Sequence, residues 1–187
     1  MGVLLRLCEA IDALNQRIGQ LVYWAILVAV LVSAANAASR YALNIASNAW
    51  LELQWYLFAA VFLLCAGYTL LHNEHIRIDL FAARLSERGQ ALLDILGGIF
   101  FLLPMTIIIG WLSWPYFLEA WTSNEISSNA GGLIRWPAKL LITAGFLLLT
   151  LQGLSEIVKR IGFLTGAGPN PAARHQAHGA HGDAPAP

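Results

Sequence analysis

Four long stretches of the chain contain no Asp, Glu, Lys or Arg, and they constrain its fold more than any other feature. They are residues 20–39, 53–73, 95–118 and 140–155. A helix that crosses the hydrocarbon core of a bilayer needs about 20 largely apolar residues. The fourth stretch reaches this length because Lys139 can extend to the interface and Trp136 can lie in it. The sequence therefore predicts an all-α membrane protein with four transmembrane helices, at about residues 21–41, 51–72, 93–117 and 136–158.

The composition of the chain excludes several other classes of protein. Hydrophobic residues make up 58% of the sequence and charged residues only 12%, whereas a typical soluble domain is about 25% charged. The 11 Lys and Arg residues balance the 11 Asp and Glu residues, so there is no net positive charge to attract nucleic acid. Two cysteines, Cys8 and Cys65, cannot form a disulfide scaffold.

The Lys and Arg residues are distributed unevenly between the predicted loops. With both termini cytoplasmic, the inner side carries Arg6, Arg17, Arg77, Arg84, Arg88, Lys159, Arg160 and Arg174, and the outer side carries Arg40, Arg135 and Lys139. Because cytoplasmic loops carry an excess of Lys and Arg, both termini are predicted to be cytoplasmic. Residues 35–37 resemble a signal-peptidase site, but the segment before them is nearly neutral, so we expect the first span to be retained.

The two ends of the chain differ from the spans. Residues 1–20 alternate apolar and polar residues at helical spacing, which predicts an amphipathic helix along the cytoplasmic interface or against a partner. Residues 161–187 are rich in Gly, Pro, Ala and His, and such a segment buries too little apolar surface to fold. We expect a disordered tail. His175, His178 and His181 recur every third residue, which leaves metal binding as an alternative.

The spans contain few residues that can carry chemistry. No ionisable residue lies at mid-depth, and Asn36 and Gln54 are the most polar residues within the spans. Arg40 and Glu52 lie at the outer ends of adjacent helices, where we expect them to pair across the connection 42–50 and fix the two helices. The sequence contains no Gly-x-Ser-x-Gly, no His-Glu-x-x-His and no pair of histidines inside the spans to hold haem. We therefore predict no enzymatic activity and no cofactor.

Small residues predict close helix packing instead. A strip with one small residue in every four lets helix backbones approach closely in lipid. The first span carries such a strip at Ala25, Ala29, Ser33 and Ala37, and the third span carries Gly97, Gly98 and Gly110. Pro104 is expected to kink the third span. A chain of this kind is typical of a scaffold or auxiliary subunit.

Three further runs resemble a known family. Residues 48–54 (Asn-Ala-Trp-Leu-Glu-Leu-Gln) open the second span, residues 75–79 (His-Ile-Arg-Ile-Asp) close it, and residues 125–139 contain Glu-Ile-Ser, Gly-Gly-Leu and Trp-Pro-Ala-Lys. Their order on four spans is similar to that of the small membrane subunit, or DctQ-type small permease, of tripartite ATP-independent periplasmic (TRAP) transporters. The match covers about residues 20–160. Leu51 departs from the pattern, because many members carry a second acidic residue there.

This resemblance implies a function, partners and a location. Such transporters take up organic acids with a sodium gradient, and a soluble periplasmic protein delivers the substrate to a large membrane subunit. The small subunit packs on the large one and helps to dock the periplasmic protein. The implied partners are the large permease subunit, the periplasmic substrate-binding protein and membrane lipids, without nucleic acid, at the bacterial inner membrane. Sodium is expected in the large subunit and not in this chain.

The residues expected to serve structure or a partner interface are Arg40, Glu52, His75, Arg77, Asp79, Glu125, Ser127, Trp136 and Lys139. Arg77 is expected to bind a phosphate or a helix C-terminus, and Asp79 to cap a short helix at 80–90. Glu125 and Ser127, in the outer loop 118–135, are expected to contact the binding protein or the large subunit. For Arg77 and Asp79, and for the outer loop with Glu125 and Ser127, the alternative is a charged loop that is simply exposed to solvent.

Two other functions stay open on the sequence alone. A self-sufficient small carrier, acting as a homo-oligomer, needs a polar path that only Asn36 and Gln54 offer. A membrane redox or lipid-modifying enzyme would reveal its redox form by haem absorbance or bound metal.

Overall fold

Five α-helices and one π-helical turn make up the regular structure in the parts of the chain that the computed structural model describes, residues 2–44, 47–72 and 85–166. They are α1 (Gly2–Leu43), α2 (Asn48–Leu71), α3 (Glu87–Gly97), the π-helical turn (Gly98–Leu102), α4 (Leu103–Thr122) and α5 (Trp136–Leu164). An isolated antiparallel bridge joins Ile126 to Ile134 between α4 and α5.

Four long helical segments confirm the predicted spans. They are α1, α2, the continuous segment Glu87–Thr122 that joins α3 to α4, and α5, and each is long and apolar enough to cross a membrane. Apolar side chains cover their outer surfaces: Phe62 is 82% exposed and Trp111 is 79% exposed. Lipid or a partner protein must cover such a surface, since polar side chains are what make a helix face soluble in water.

The first helix is longer than the sequence indicated. Residues 1–20 were predicted as a separate amphipathic helix, whereas α1 runs from Gly2 to Leu43 as one helix of 42 residues. At 1.5 Å per residue it is about 63 Å long, roughly twice the thickness of the hydrocarbon core. Gly19, near the expected boundary, stays helical and packs against the ring of Tyr68, where a Cβ atom would lie 2.4 Å from the ring. The packing on α2 thus continues across the expected boundary.

Two other boundaries also differ from the prediction. Residues 161–164 belong to α5 and not to the tail, while residues 167–187 lie outside the description. Of the short helix expected at 80–90, residues 80–84 lie outside it as well, and Leu85 and Ser86 are not helical. The helix begins at Glu87 because the Ser86 hydroxyl caps it by accepting a hydrogen bond from the Gly89 N–H.

The last helix lies at the centre of the bundle. α5 contacts α1, α2, α3 and α4, and α1 also packs along α2. Glycines set the closest approaches: a Cβ atom at Gly145 of α5 would lie 2.7 Å from the Leu63 carbonyl oxygen of α2. α5 therefore has the largest buried fraction of the four segments.

The buried face of α1 is not the predicted strip of small residues. Ala29 is fully buried, but Ala37, at the end of that strip, is exposed. The buried residues of α1 are Cys8, Asn15, Gly19, Ala29 and Asn36. Cys8 and Asn15 are seven residues apart, close to two helical turns, and so are Ala29 and Asn36. The two amides, Asn15 and Asn36, were not predicted to lie on a packing face.

The distortion expected at Pro104 takes the form of the π-helical turn. The Leu103 N–H bonds to the carbonyl of Gly98, five residues earlier. Pro104 follows at once and has no N–H to donate. Gly98 lies where its ideal Cβ atom would be 2.9 Å from Ile157 of α5, so the turn brings the third segment close to the central helix.

Candidate functional site

The loop between α4 and α5 folds into a small hairpin at one end of the bundle, called here the loop end. The Ser127 N–H bonds to the Leu133 carbonyl at 2.9 Å, and the Arg135 N–H bonds to the Glu125 carbonyl at 2.9 Å. At the tip, the Gly132 N–H bonds to the Asn129 carbonyl at 3.0 Å. This turn needs a residue with positive φ, and Gly131 supplies it at 69°.

Glu52 of α2 holds this hairpin from below. Its side chain is 4% exposed. One carboxylate oxygen, Oε1, accepts hydrogen bonds from the hydroxyl of Ser127 and from Asn129 Nδ2 at 2.8 Å, and Oε2 accepts the Leu133 N–H at 2.6 Å. Hydrogen bonds to a carboxylate are stronger than those between neutral groups. The arrangement ties the hairpin to the first turns of α2.

The predicted pair between Glu52 and Arg40 is wrong. Arg40 is exposed at the end of α1, and within the described ranges it forms no ion pair with Glu52. The hairpin occupies both oxygens of the carboxylate instead. A Cβ atom at Gly132 would lie 2.9 Å from Glu52 Oε1, so the backbone approaches the acid too closely for a larger residue.

A second acidic residue joins the hairpin to α5. Glu125 Oε2 accepts a hydrogen bond from Lys139 Nζ at 2.5 Å, and its other oxygen faces Arg135 Nη1 at 3.5 Å. Lys139 Nζ also lies 3.7 Å from the centroid of the Tyr116 ring on α4, a cation–π contact. The hydrogen bond from Lys139, helped by the charges of Lys139 and Arg135, lowers the pKa of Glu125. We name Glu52, Glu125, Ser127, Asn129, Arg135 and Lys139 the loop-end cluster.

An open cavity of about 440 Å³ lies below the hairpin, between α2, α4 and α5. Its upper wall is polar and includes Glu52, Arg135 and Lys139 from the loop-end cluster. Its lower wall is apolar and includes Leu63 and Ile142.

A second group of polar side chains lies at the opposite end of the bundle. Asp12 of α1 accepts hydrogen bonds from Lys159 Nζ at 3.0 Å, from Gln152 Nε2 at 2.9 Å and from Ser155 Oγ at 3.1 Å. Gln152 is fully buried, and its carbonyl oxygen accepts a bond from Asn15 Nδ2 at 2.9 Å. These contacts bind α1 to α5 through side chains alone.

The same group continues to the third segment. Glu156 accepts hydrogen bonds from Gln152 at 3.2 Å, from Lys159 at 2.5 Å and from the Arg160 guanidinium. Arg160 also donates from Nε to Asp94 of α3 at 2.9 Å. We name Asp12, Asn15, Asp94, Gln152, Ser155, Glu156, Lys159 and Arg160 the terminal-end network. Its two bases and three carboxylates neutralise most of their charge within the bundle.

The sequence matches a known protein family over residues 19–162, a region that includes all four spans. The family is described as tripartite ATP-independent periplasmic transporters, DctQ component. The chain belongs to this family. No curated protein and no solved structure matches it.

Membership of the DctQ family confirms the resemblance seen in the sequence and makes the chain a component of a TRAP transporter. The family functions in transport, with a large membrane component and a periplasmic binding protein. Together with the four apolar helices, it indicates a multi-pass membrane protein.

The structure brings together five of the nine residues that the sequence singled out. Glu52, Glu125, Ser127 and Lys139 belong to the loop-end cluster, and Trp136 packs beside it, edge to face on Trp121 with ring centroids 4.6 Å apart. Arg40 stays apart from them. His75, Arg77 and Asp79 lie outside the described residues, so their roles remain predictions.

The terminal-end network was missed entirely. Asp12 and Asn15 were predicted to lie on the polar side of an amphipathic helix along the interface or against a partner, and no role was predicted for Gln152. A signal was present: Gln152, Ser155, Glu156 and Lys159 recur at intervals of three and four on one face of an otherwise apolar helix. Polar residues on one face of a spanning helix are expected to face other helices.

The described part of the DctQ-family chain brings no three His, Cys, Asp or Glu side chains together as metal ligands. This observation does not test the expectation that the chain binds no cofactor and that the large subunit holds sodium, so both stay predictions.

Proposed function

We propose that the chain is the non-catalytic small permease subunit of a sodium-coupled TRAP transporter that takes up an organic acid. Family membership supports the role of small component. The observation that carries the rest is how its polar groups are used. The loop-end cluster and the terminal-end network hold this chain's own elements together, while the outward faces of its helices are apolar. Such a chain offers packing surface, which suits a scaffold for the large membrane subunit.

We further propose that the loop end faces the periplasm and the terminal end the cytoplasm. The excess of Lys and Arg on the terminal side, eight against three, supports this orientation. The hairpin then points toward the side where the binding protein arrives.

The hairpin is suited to helping dock the substrate-binding protein. Ile126 and Ile134, the two residues of its bridge, are 63% and 46% exposed. Glu52 fixes the hairpin from below, so the two apolar side chains are presented on a preformed surface. Preformed surfaces lose less conformational entropy when a partner binds.

Co-expression with the large subunit of the same transporter tests the scaffold role. We expect the two chains to elute together in mild detergent, and uptake in proteoliposomes to require both chains and the binding protein. If this chain supports uptake alone, and Asn36→Leu with Gln54→Leu abolishes it, the protein is a self-sufficient carrier and the proposal is wrong.

Ile126→Asp tests the docking role of the hairpin. We expect it to raise the concentration of binding protein needed for half-maximal uptake, since the variant places a charge in an apolar contact. Asn124→Asp is the matched control: it adds the same charge to the same loop, and Asp tolerates its positive φ of 47°. Equal effects of the two variants would contradict docking at the bridge.

A further inference from the structure

The cavity at the loop end changes in polarity along the helix axes. Glu52 and Leu63 mark the two levels of its α2 wall. They are separated by 11 residues, or about 16 Å of helix. The upper level lies among Trp55, Tyr56 and Tyr116, residue types that concentrate at the membrane–water interface. The lower level therefore reaches into the depth occupied by lipid acyl chains.

Arg135 supplies a cation at the upper level of the cavity. Its side chain is 41% exposed and lines the cavity. Within the described residues its side chain forms one hydrogen bond, the long contact of 3.5 Å to Glu125. Lys139 takes the other oxygen of Glu125 at 2.5 Å and is the closer base. Arg135 thus retains guanidinium N–H groups for another anion, and the planar guanidinium group matches the geometry of a phosphate.

The lower level has a complementary chemistry. Ala59, Leu63 and Ile142 line it with alkyl groups, and the cavity is open. Its volume of about 440 Å³ falls within the range of small-molecule sites, roughly 300–1,000 Å³. Water in such an apolar space would lack hydrogen-bond partners, so an alkyl chain is the better occupant.

We propose that this cavity binds one phospholipid from the adjacent leaflet, with its phosphodiester on Arg135 and part of an acyl chain against Ala59, Leu63 and Ile142. A phospholipid has a phosphate next to long alkyl chains, and the cavity presents a guanidinium above an alkyl-lined wall. The site depends only on the loop end lying at a membrane interface, so it is independent of which side of the membrane that is. The bound lipid is held between α2 and α5 beneath the hairpin.

Photo-crosslinking of the complex with its large subunit tests the site. The probe is phosphatidylcholine with a diazirine on one acyl chain, present in vesicles of dioleoyl phosphatidylcholine, and adducts are mapped by mass spectrometry. We expect adducts on α2 around Ala59 and Leu63. Arg135→Gln should lower their yield about tenfold, as expected for loss of a charge-assisted hydrogen bond. Ala59→Phe, which fills the lower level, should lower it as well.

Arg40→Gln is the matched control, because it removes an exposed arginine at the same end of the bundle. Its adduct yield should equal that of the unaltered chain. If Arg135→Gln and Arg40→Gln behave alike, the lipid is ordinary surrounding lipid and the site is refuted. If the unaltered chain gives no adducts at α2, and a photoreactive amino acid at Trp55 instead crosslinks to the large subunit or the binding protein, a protein side chain fills the cavity. That result would also overturn the proposal.

Discussion

The loop-end cluster and the terminal-end network use similar residues for different purposes. At the loop end, one carboxylate of α2 accepts bonds from a hairpin, and a cavity remains beneath it. At the terminal end, carboxylates, amides and bases of three helices bond to one another in buried and half-buried positions. The first arrangement shapes a surface, whereas the second fixes helix against helix. Buried polar groups alone therefore do not identify a binding site; their partners and the space beside them must be known.

Of the variants that test this comparison, Arg160→Ala should cause the largest loss of stability. Arg160 is 7% exposed and bonds to both Glu156 and Asp94. Removing one partner of a buried ion pair leaves charge without compensation, so we expect the free energy of unfolding in detergent to fall by about 3 kcal/mol. Chemical denaturation measures it. Arg17→Ala, an exposed arginine of α1, is the control; a similar loss in both variants would mean that the network does not fix the helices.

Glu52→Ala should affect the hairpin and leave the helices intact. The variant removes the acceptor of three hydrogen bonds, and we expect the local free energy of opening of residues 125–134 to fall by about 2 kcal/mol. Hydrogen exchange at the Leu133 amide measures this opening. Glu119→Ala removes an exposed carboxylate of α4 at the same end and should leave the exchange unchanged. Unchanged exchange in Glu52→Ala would show that the hairpin holds itself.

Gly67→Ala tests the close approach of α2 to Asn15, a residue of the terminal-end network. A Cβ atom at Gly67 of α2 would lie 2.2 Å from Asn15 Oδ1, so the Asn15 side chain, or α1 with it, must shift. We expect a loss of about 1 kcal/mol in unfolding free energy from this overpacking. Gly97→Ala, also helical but with open space around it, should cause no loss. If the two variants are equally stable, the close approach of α1 to α2 is not needed.

The smallest effect should come from Glu125 at the loop end when the pH is lowered. The pKa of Glu125 is lowered by Lys139, so its contribution to stability is fully present above its ordinary value of about 4.3. That contribution is lost as the pH falls through the lower pKa of the folded protein. A carbon-13 titration of the Glu125 carboxyl group measures the shift. Lys139→Met should raise this pKa toward the ordinary value; no rise would assign the shift to another group.

The sequence predicted the helices better than it predicted their partners. Charge-free stretches located all four spans, because the cost of a charge in hydrocarbon excludes it wherever no partner is available. Glu52 and Ser127 were both singled out, but their contact was not foreseen. They are 75 positions apart, and the fold of the hairpin decides which groups reach the acid. The sequence offered Arg40 as the nearest opposite charge, and proximity along the chain was misleading.

The terminal-end network shows a different limit. Asp12 and Asn15 have the spacing of a helix face, and that face suits water and a second helix equally well. Only the position of α5 decides between these environments, and that position follows from packing at Gly67, Gly145 and Gly98. No local pattern contains this information.

The polar face shared by α1 and α5 has a consequence for biosynthesis. The ribosome makes α1 before α5, yet within the described residues the side chains that bond to Asp12 belong to α5. A nascent chain therefore carries the Asp12 carboxylate on α1 without these partners until α5 emerges. A chain that stops before α5 keeps this carboxylate without those partners, whereas the finished chain leaves only 19% of the Asp12 side chain exposed.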